Sequence, residues 1–115
     1  MDNFDIPIFK KSYDLYKTFH GYRETIKKLD RHTIWERSEN AILEIIEGIL
    51  AASEAPKLEK LPILKKVSVT LNLLRVFFRL AKDSKVIDTK KYMILEEMID
   101  EIGRMLGGWI KSVRE

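Results

Sequence analysis

Residues 65–82 read KKVSVTLNLLRVFFRLAK, and this stretch holds more apolar residues than one buried helical face requires. A helix of 3.6 residues per turn gathers one set of apolar side chains on a single face. That core set repeats with heptad spacing and comprises Leu64, Val67, Leu71, Leu74, Phe78 and Ala81. Such spacing favours a long helix that packs at a shallow angle against its neighbours, as in a helical bundle.

A second apolar set, here named the outer stripe, occupies another face of the same helix. It comprises Val69, Leu73, Val76 and Leu80. Either the helix is central and its own chain covers both faces, or the outer stripe contacts another subunit, because soluble monomers rarely expose such patches. Ile46 and Leu50, which lie off the core line of the preceding helix, favour the second alternative. The predicted oligomer interface therefore joins these two residues to the outer stripe.

Basic side chains lie between the two apolar faces. The sector contains Lys65, Ser68, Asn72, Arg75, Arg79 and Lys82, without an acid. Residues 57–91 carry 10 Lys and Arg against 3 Asp and Glu, whereas residues 1–56 and 92–115 are both net acidic. A solvated face usually mixes signs, so an acid-free sector favours a nucleic acid or an acidic partner. The predicted binding residues, here named the basic row, are Lys65, Arg75, Arg79, Lys82 and Lys85.

Three further stretches show helical periodicity, and none alternates as a strand would. The first opens at Pro7, with Asp5 just ahead, and its stripe is Ile8, Leu15, Phe19, Tyr22, Ile26 and Leu29. The second runs from a Thr33 cap to about Ser53, with core positions Trp35, Ile42, Ile45, Ile49 and Ala52. The last is capped by Asp88 or Thr89 and repeats through Tyr92, Leu95, Ile99, Ile102, Leu106, Trp109 and Val113. The long helix of the opening stretch begins between Lys57 and Pro62. Pro56 and Pro62 each disfavour helix in the residue before them.

These four segments predict an all-α protein, an antiparallel up-and-down four-helix bundle forming one domain over residues 1–115. The chain has no cysteine, which excludes disulfides and thiolate chemistry. Its N-terminus is acidic where a signal peptide would be basic, and no apolar run approaches the roughly 20 residues that span a bilayer. We therefore expect a soluble cytoplasmic protein without a membrane partner.

Catalytic and metal-binding constellations are not evident. The only histidines, His20 and His32, have no carboxylate three residues before them, so no metal or other cofactor is predicted. We expect His20 to be a partly buried packing residue. Gly103 and Gly107, four apart within a helix, are expected to let a neighbouring backbone approach. An α-helical nuclease or toxin is disfavoured, because no arginine lies four to six residues before either histidine.

Two segments of the chain carry a family resemblance. LLRVFFRLAKD at 73–83, followed by IGRMLGGWIKS at 102–112, resembles Avd, the accessory variability determinant of diversity-generating retroelements. IPIFKKSYDLYKTF at 6–19 and TIWERSENAILEIIEGILAAS at 33–53 are similar to the first two helices of that family. The glycine-tryptophan element is the most specific part, and the similarity covers almost the whole chain.

The resemblance implies a four-helix bundle that assembles into a barrel-like homopentamer without catalytic activity. It also implies association with the reverse transcriptase of the retroelement and binding of RNA or DNA, in support of error-prone copying of the template repeat. Arg75 and Arg79 fall within the matching motif, whereas the three lysines of the basic row come from periodicity alone.

One departure from the family pattern is Pro62, which stands where the third helix of the family normally runs unbroken. A sister family offers an alternative identity. It comprises the four-helix proteins encoded by intervening sequences in bacterial ribosomal RNA genes, which share the fold and a similar opening helix. The biochemical role of that family is poorly defined.

Overall fold

The computed structural model describes residues 6–115, which form four α-helices. They are α1 (Pro7–Gly21), α2 (Ile34–Glu54), α3 (Lys57–Asp83) and α4 (Thr89–Arg114). Two short 3₁₀ helices, Arg23–Thr25 and Lys28–His32, connect α1 to α2. The predicted all-helical class is confirmed for the described chain, which contains no strand.

Contacts between neighbouring helices establish an antiparallel bundle. Phe19 of α1 stacks on Trp35 of α2 at 3.9 Å between ring centroids, so the end of one helix meets the start of the next. Lys82 of α3 lies over the ring of Tyr92, near the start of α4. α1 packs on α2 and α4, and α3 packs on the same two helices, so α1 and α3 lie on opposite corners. The bundle measures 44 × 24 × 22 Å.

The predicted core positions of α2, α3 and α4 are buried or packed against the core, as the periodicity indicates. Phe77 was not predicted as a core residue, but it is buried and lies beneath the guanidinium of Arg37, 5.3 Å from its ring centroid. Burial of apolar side chains contributes about 25 cal/mol per Å² of surface removed from water. These stripes therefore hold the four helices together.

The predicted length of the first helix is wrong. α1 ends at Gly21 rather than near Leu29, and Leu29 is 85% exposed. In the connection between α1 and α2 only Ile26 is buried, and Arg31 donates hydrogen bonds to the carbonyls of Ile26 and Arg23. These side-chain bonds satisfy backbone acceptors in a tight 3₁₀ path, which replaces two further turns of α-helix.

The helix starts follow the predicted caps in part. Asp88 is the N-cap of α4, where its carboxylate accepts the backbone N–H of Lys91 at 2.8 Å. This bond to the charged form holds the pKa of Asp88 below its usual value. Thr33 is the N-cap of α2 as predicted, but its hydroxyl donates to the carbonyl of Asp30 instead of accepting from α2. Asp5, which stands just ahead of Pro7, lies outside the described residues.

Pro62 lies inside α3 rather than at its start. The helix begins at Lys57 and continues through the proline, within the range predicted for its start. A proline in a helix cannot donate to the carbonyl four residues earlier, here that of Leu58. Leu58 is 93% exposed, so water can reach that region. α3 is thus unbroken despite Pro62, as in the family that the sequence resembles.

Gly48 sets the closest contact between α2 and α3. A Cβ atom at this position would overlap the Cγ2 methyl of buried Val67. We expect Gly48→Ala to lower the free energy of unfolding by about 1–2 kcal/mol, because overpacking exceeds the gain in helix propensity. Urea denaturation measures this change, and Val67→Ala in the same chain should recover at least about 1 kcal/mol relative to additive effects.

Gly107→Ala is the matched control for that experiment. A Cβ at Gly107 would meet no atom within 4 Å, so the same change should stabilise the chain by about 1 kcal/mol through helix propensity alone. Equal stabilisation by both alanines would show that the contact between Gly48 and Val67 does not limit the spacing of α2 and α3.

Candidate partner-binding surfaces

The outer stripe faces away from the rest of the chain. The exposed fractions are 67% for Val69, 43% for Leu73, 54% for Val76 and 48% for Leu80. α2 and α4 cover the two flanks of α3, and the stripe lies on the outward face of α3, opposite its core face. No element of residues 6–115 covers the stripe, which contradicts the alternative in which those residues bury it themselves. Four neighbouring branched side chains at spacings of four, three and four form a continuous apolar strip along α3.

Ile46 and Leu50 are half-buried and lie on a different surface from the outer stripe. Glu39, two turns before Ile46 on the same face of α2, lies 3.5 Å from the Nδ1 atom of His20 on α1. The face therefore adjoins α1, on the side away from α3. Leu43, which is 38% exposed, completes a strip with Ile46 and Leu50 at spacings of three and four. Sequence reasoning missed Leu43, although the same spacing signals it.

Arg75 of the basic row forms an ion pair with Asp100 of α4. A Cβ at Gly103 would lie 2.9 Å from Nη2 of Arg75, so the glycine makes room for the guanidinium. The expected approach of a neighbouring backbone is therefore wrong at Gly103, where a side chain approaches. It is wrong at Gly107 as well, because nothing lies within 4 Å of a Cβ there.

Arg79 and Lys82 share one carboxylate at the end of α3. Arg79 Nε lies 3.3 Å from Oδ2 of Asp83, and Lys82 Nζ lies 3.8 Å from its Oδ1. Lys82 also sits 4.8 Å from the ring centroid of Tyr92. A hydrogen bond to Glu96 raises the pKa of the Tyr92 hydroxyl, which stays neutral at ordinary pH. The sector that is acid-free along α3 thus receives carboxylates from two residues, Asp83 and Asp100.

The ends of the basic row differ from its centre. Lys65 and Lys85 are exposed, and neither forms an ion pair with another described residue. Lys85 adopts φ 62°, the left-handed conformation that glycine favours at helix ends. Its N–H donates to the carbonyl of Lys82, and Val86 N–H donates to the carbonyl of Ala81, which closes the last turn of α3. The conformation fixes the backbone of Lys85 beside the start of α4.

A groove of about 400 Å³ separates the outer parts of α3 and α4. Its lining includes Asn72, Arg75, Asp100, Gly103 and Arg104. Arg104 is exposed and forms no ion pair with another described residue, so it adds a cation from α4 beside the basic row. Sequence reasoning did not assign Arg104, because its proximity to Arg75 depends on how α3 and α4 pair.

Metal-binding groups do not gather in the described chain, where no three histidine, aspartate or glutamate side chains form a cluster. His20 was expected to be partly buried, but 58% of its side chain is exposed. It stacks on Tyr16, one turn earlier, at 5.8 Å between ring centroids. His20 lies on the α2 side of α1, where Tyr16 and Glu39 hold it at the surface rather than in the core. None of the described helices combines the length and apolarity needed to cross a membrane.

Comparison with known proteins gave one family match. A search of curated proteins found no match. The family model described as bAvd-like matches residues 7–113, which span all four helices. The match agrees with the resemblance carried by the arginine-rich end of α3 and the glycine-tryptophan segment of α4. The chain belongs to the bAvd-like family.

Proposed function

We propose that this chain is the non-catalytic accessory protein of a diversity-generating retroelement. In this role it binds the reverse transcriptase and the template RNA, and so supports mutagenic copying of the template repeat. The family match over residues 7–113 carries the proposal. The chain works in the cytoplasm and needs no cofactor, because its contribution is to hold two macromolecules together.

The outer stripe supports assembly into a homo-oligomer, with five subunits as the family resemblance implies. An exposed strip of four aliphatic side chains is unusual on a soluble monomer and typical of a subunit interface. Repetition of the basic row and of Arg104 around an oligomer would place several copies of Lys65, Lys85 and Arg104 on one particle. Such repetition strengthens attraction to a polyanion.

The basic surface supports nucleic-acid binding through the phosphate backbone. Lysines bind phosphates as point charges, and binding of this kind depends on charge rather than on base sequence. Arg75 and Arg79 keep their charge at every physiological pH, although each already has a carboxylate neighbour. The cations without ion pairs, Lys65, Lys85 and Arg104, are therefore the first contacts that we assign to RNA.

Co-purification tests the proposed function. The tagged chain is expressed with the reverse transcriptase and template-repeat RNA of the retroelement that encodes it, and the complex is isolated at low salt. We expect both partners to be retained, and the RNA to be lost as salt rises. Retention of neither partner would contradict the proposal. A gene that lies within a ribosomal RNA gene, without a neighbouring reverse transcriptase, would favour the intervening-sequence alternative instead.

A further inference from the structure

Two exposed apolar strips lie on different helices, and the side chains around them carry charges of opposite sign. α3 carries seven lysines and arginines against two acids, whereas α2 carries five glutamates and one arginine. The strip on α2, here named the α2 strip, consists of Leu43, Ile46 and Leu50. Exposed acids share its face at helical spacing, since Glu36 lies seven residues before Leu43 and Glu54 lies four residues after Leu50. Each strip thus combines apolar contact area with one sign of charge.

The cations around the outer stripe complement these acids. Lys66 is exposed one turn before Val69, and Arg79 lies beside Val76 and Leu80. Neither Lys66 nor Glu54 has an ion-pair partner among the described residues. A contact between the two strips would place aliphatic side chains against each other at the centre and opposite charges at the rim.

The two strips cannot meet within one chain. The α2 strip adjoins α1, and α1 lies on the corner of the bundle opposite α3. The outer stripe points away from that corner, between the flanks covered by α2 and α4. One copy can therefore present its outer stripe to a second copy while its own α2 strip remains open to a third. This arrangement is the geometry of a head-to-tail, heterologous interface.

We infer that the outer stripe of one subunit docks on the α2 strip of the next subunit, so that the chain assembles head to tail. The inference rests on the oligomerisation included in the proposed function, and it names the surface that receives the outer stripe. A two-fold contact between two outer stripes is disfavoured, because it would bring Lys66 and Arg79 of both copies together. It would also leave the acidic α2 strip uncovered.

Mixing of two defective variants tests this pairing. Val76→Glu disables the outer stripe and Leu43→Glu disables the α2 strip, and both positions are exposed enough for the folded chain to accept a carboxylate. Each variant alone should be a monomer of 13.5 kDa by light scattering. In an equimolar mixture the Leu43→Glu chain keeps an intact outer stripe and the Val76→Glu chain keeps an intact α2 strip. These two surfaces should pair, so that a one-to-one complex of twice that mass forms and extends no further.

Several outcomes would overturn the inference. If Leu43→Glu keeps the wild-type mass, the α2 strip is not the receiving surface, although oligomerisation itself stands. If both variants are folded monomers whose mixture gains no mass, the strips do not pair. A monomeric wild-type chain would defeat both the inference and the proposed oligomer. Leu29→Glu, an equal change at an exposed leucine outside both strips, is the control and should keep the wild-type mass. Leu73→Glu and Leu50→Glu repeat the test if circular dichroism shows that a first variant is unfolded.

Discussion

Val76→Glu and Leu80→Glu, made separately, should each convert the wild-type oligomer into a folded monomer of 13.5 kDa. About half of each side chain is exposed in the isolated chain, so a glutamate there stays hydrated and leaves the bundle core unchanged. In an assembled interface the same carboxylate would be buried without a partner on an apolar surface, at a cost of several kcal/mol. Light scattering after size-exclusion chromatography measures the mass, and circular dichroism verifies the helices.

Conservative substitution separates interface loss from a change in helix propensity. Val76→Ala removes apolar area without adding charge, so it should weaken the oligomer and leave a mass that depends on concentration. Leu29→Glu should leave the mass unaltered. A folded Val76→Glu chain with the wild-type mass would show that the outer stripe makes no subunit contact.

Lys65→Glu combined with Lys85→Glu should sharply reduce RNA binding. Each lost phosphate contact removes about 0.7 from the slope of log affinity against log salt for a single strand. Two lost contacts lower the affinity by about 25-fold at 0.1 M salt, and the reversed charges add repulsion. Fluorescence anisotropy with a mixed-sequence RNA oligonucleotide measures both the affinity and the slope. These lysines are a cleaner choice than Arg75 and Arg79, because loss of Arg75 would leave Asp100 without its ion partner and loss of Arg79 would remove one of the two cations at Asp83.

Lys27→Glu combined with Lys28→Glu is the matched control, because it makes the same change in net charge at two exposed lysines outside the basic row. That variant should bind RNA with nearly the wild-type affinity and slope. Equal losses in the two double variants would assign binding to overall charge rather than to the basic row. RNA binding that changes neither with salt concentration nor with the double substitution of Lys65 and Lys85 would refute a role of this row in RNA recognition.

Local periodicity predicted most of the helical framework. The heptads of α3 and α4 each bury one face, and the structure places those residues in the core. The same rule failed after Gly21, because Tyr22, Ile26 and Leu29 keep helical spacing while the backbone follows 3₁₀ turns. There, hydrogen bonds from Arg31 to two carbonyls decide the path, and a side chain several residues away leaves no periodic signal.

Some surface features could be predicted from a single helix, whereas others depend on how the helices pair. The angular positions of residues around the axis of α3 identified the outer stripe and the basic row. It could not show that Asp100 approaches Arg75, or that Gly48 lies against Val67, since these pairs depend on helices that meet far apart in sequence. The position of the α2 strip relative to α3 likewise requires the order of helices around the bundle.

The left-handed conformation of Lys85 has a consequence for how stability and charge are balanced in this fold. A residue other than glycine at φ 62° costs roughly 1 kcal/mol, and glycine would remove that strain without altering the turn. The chain thus keeps a cation at the α3–α4 corner where folding alone would favour a smaller residue. Functional surfaces often keep residues that strain the backbone and lower stability. A more stable variant at this corner should therefore bind less well.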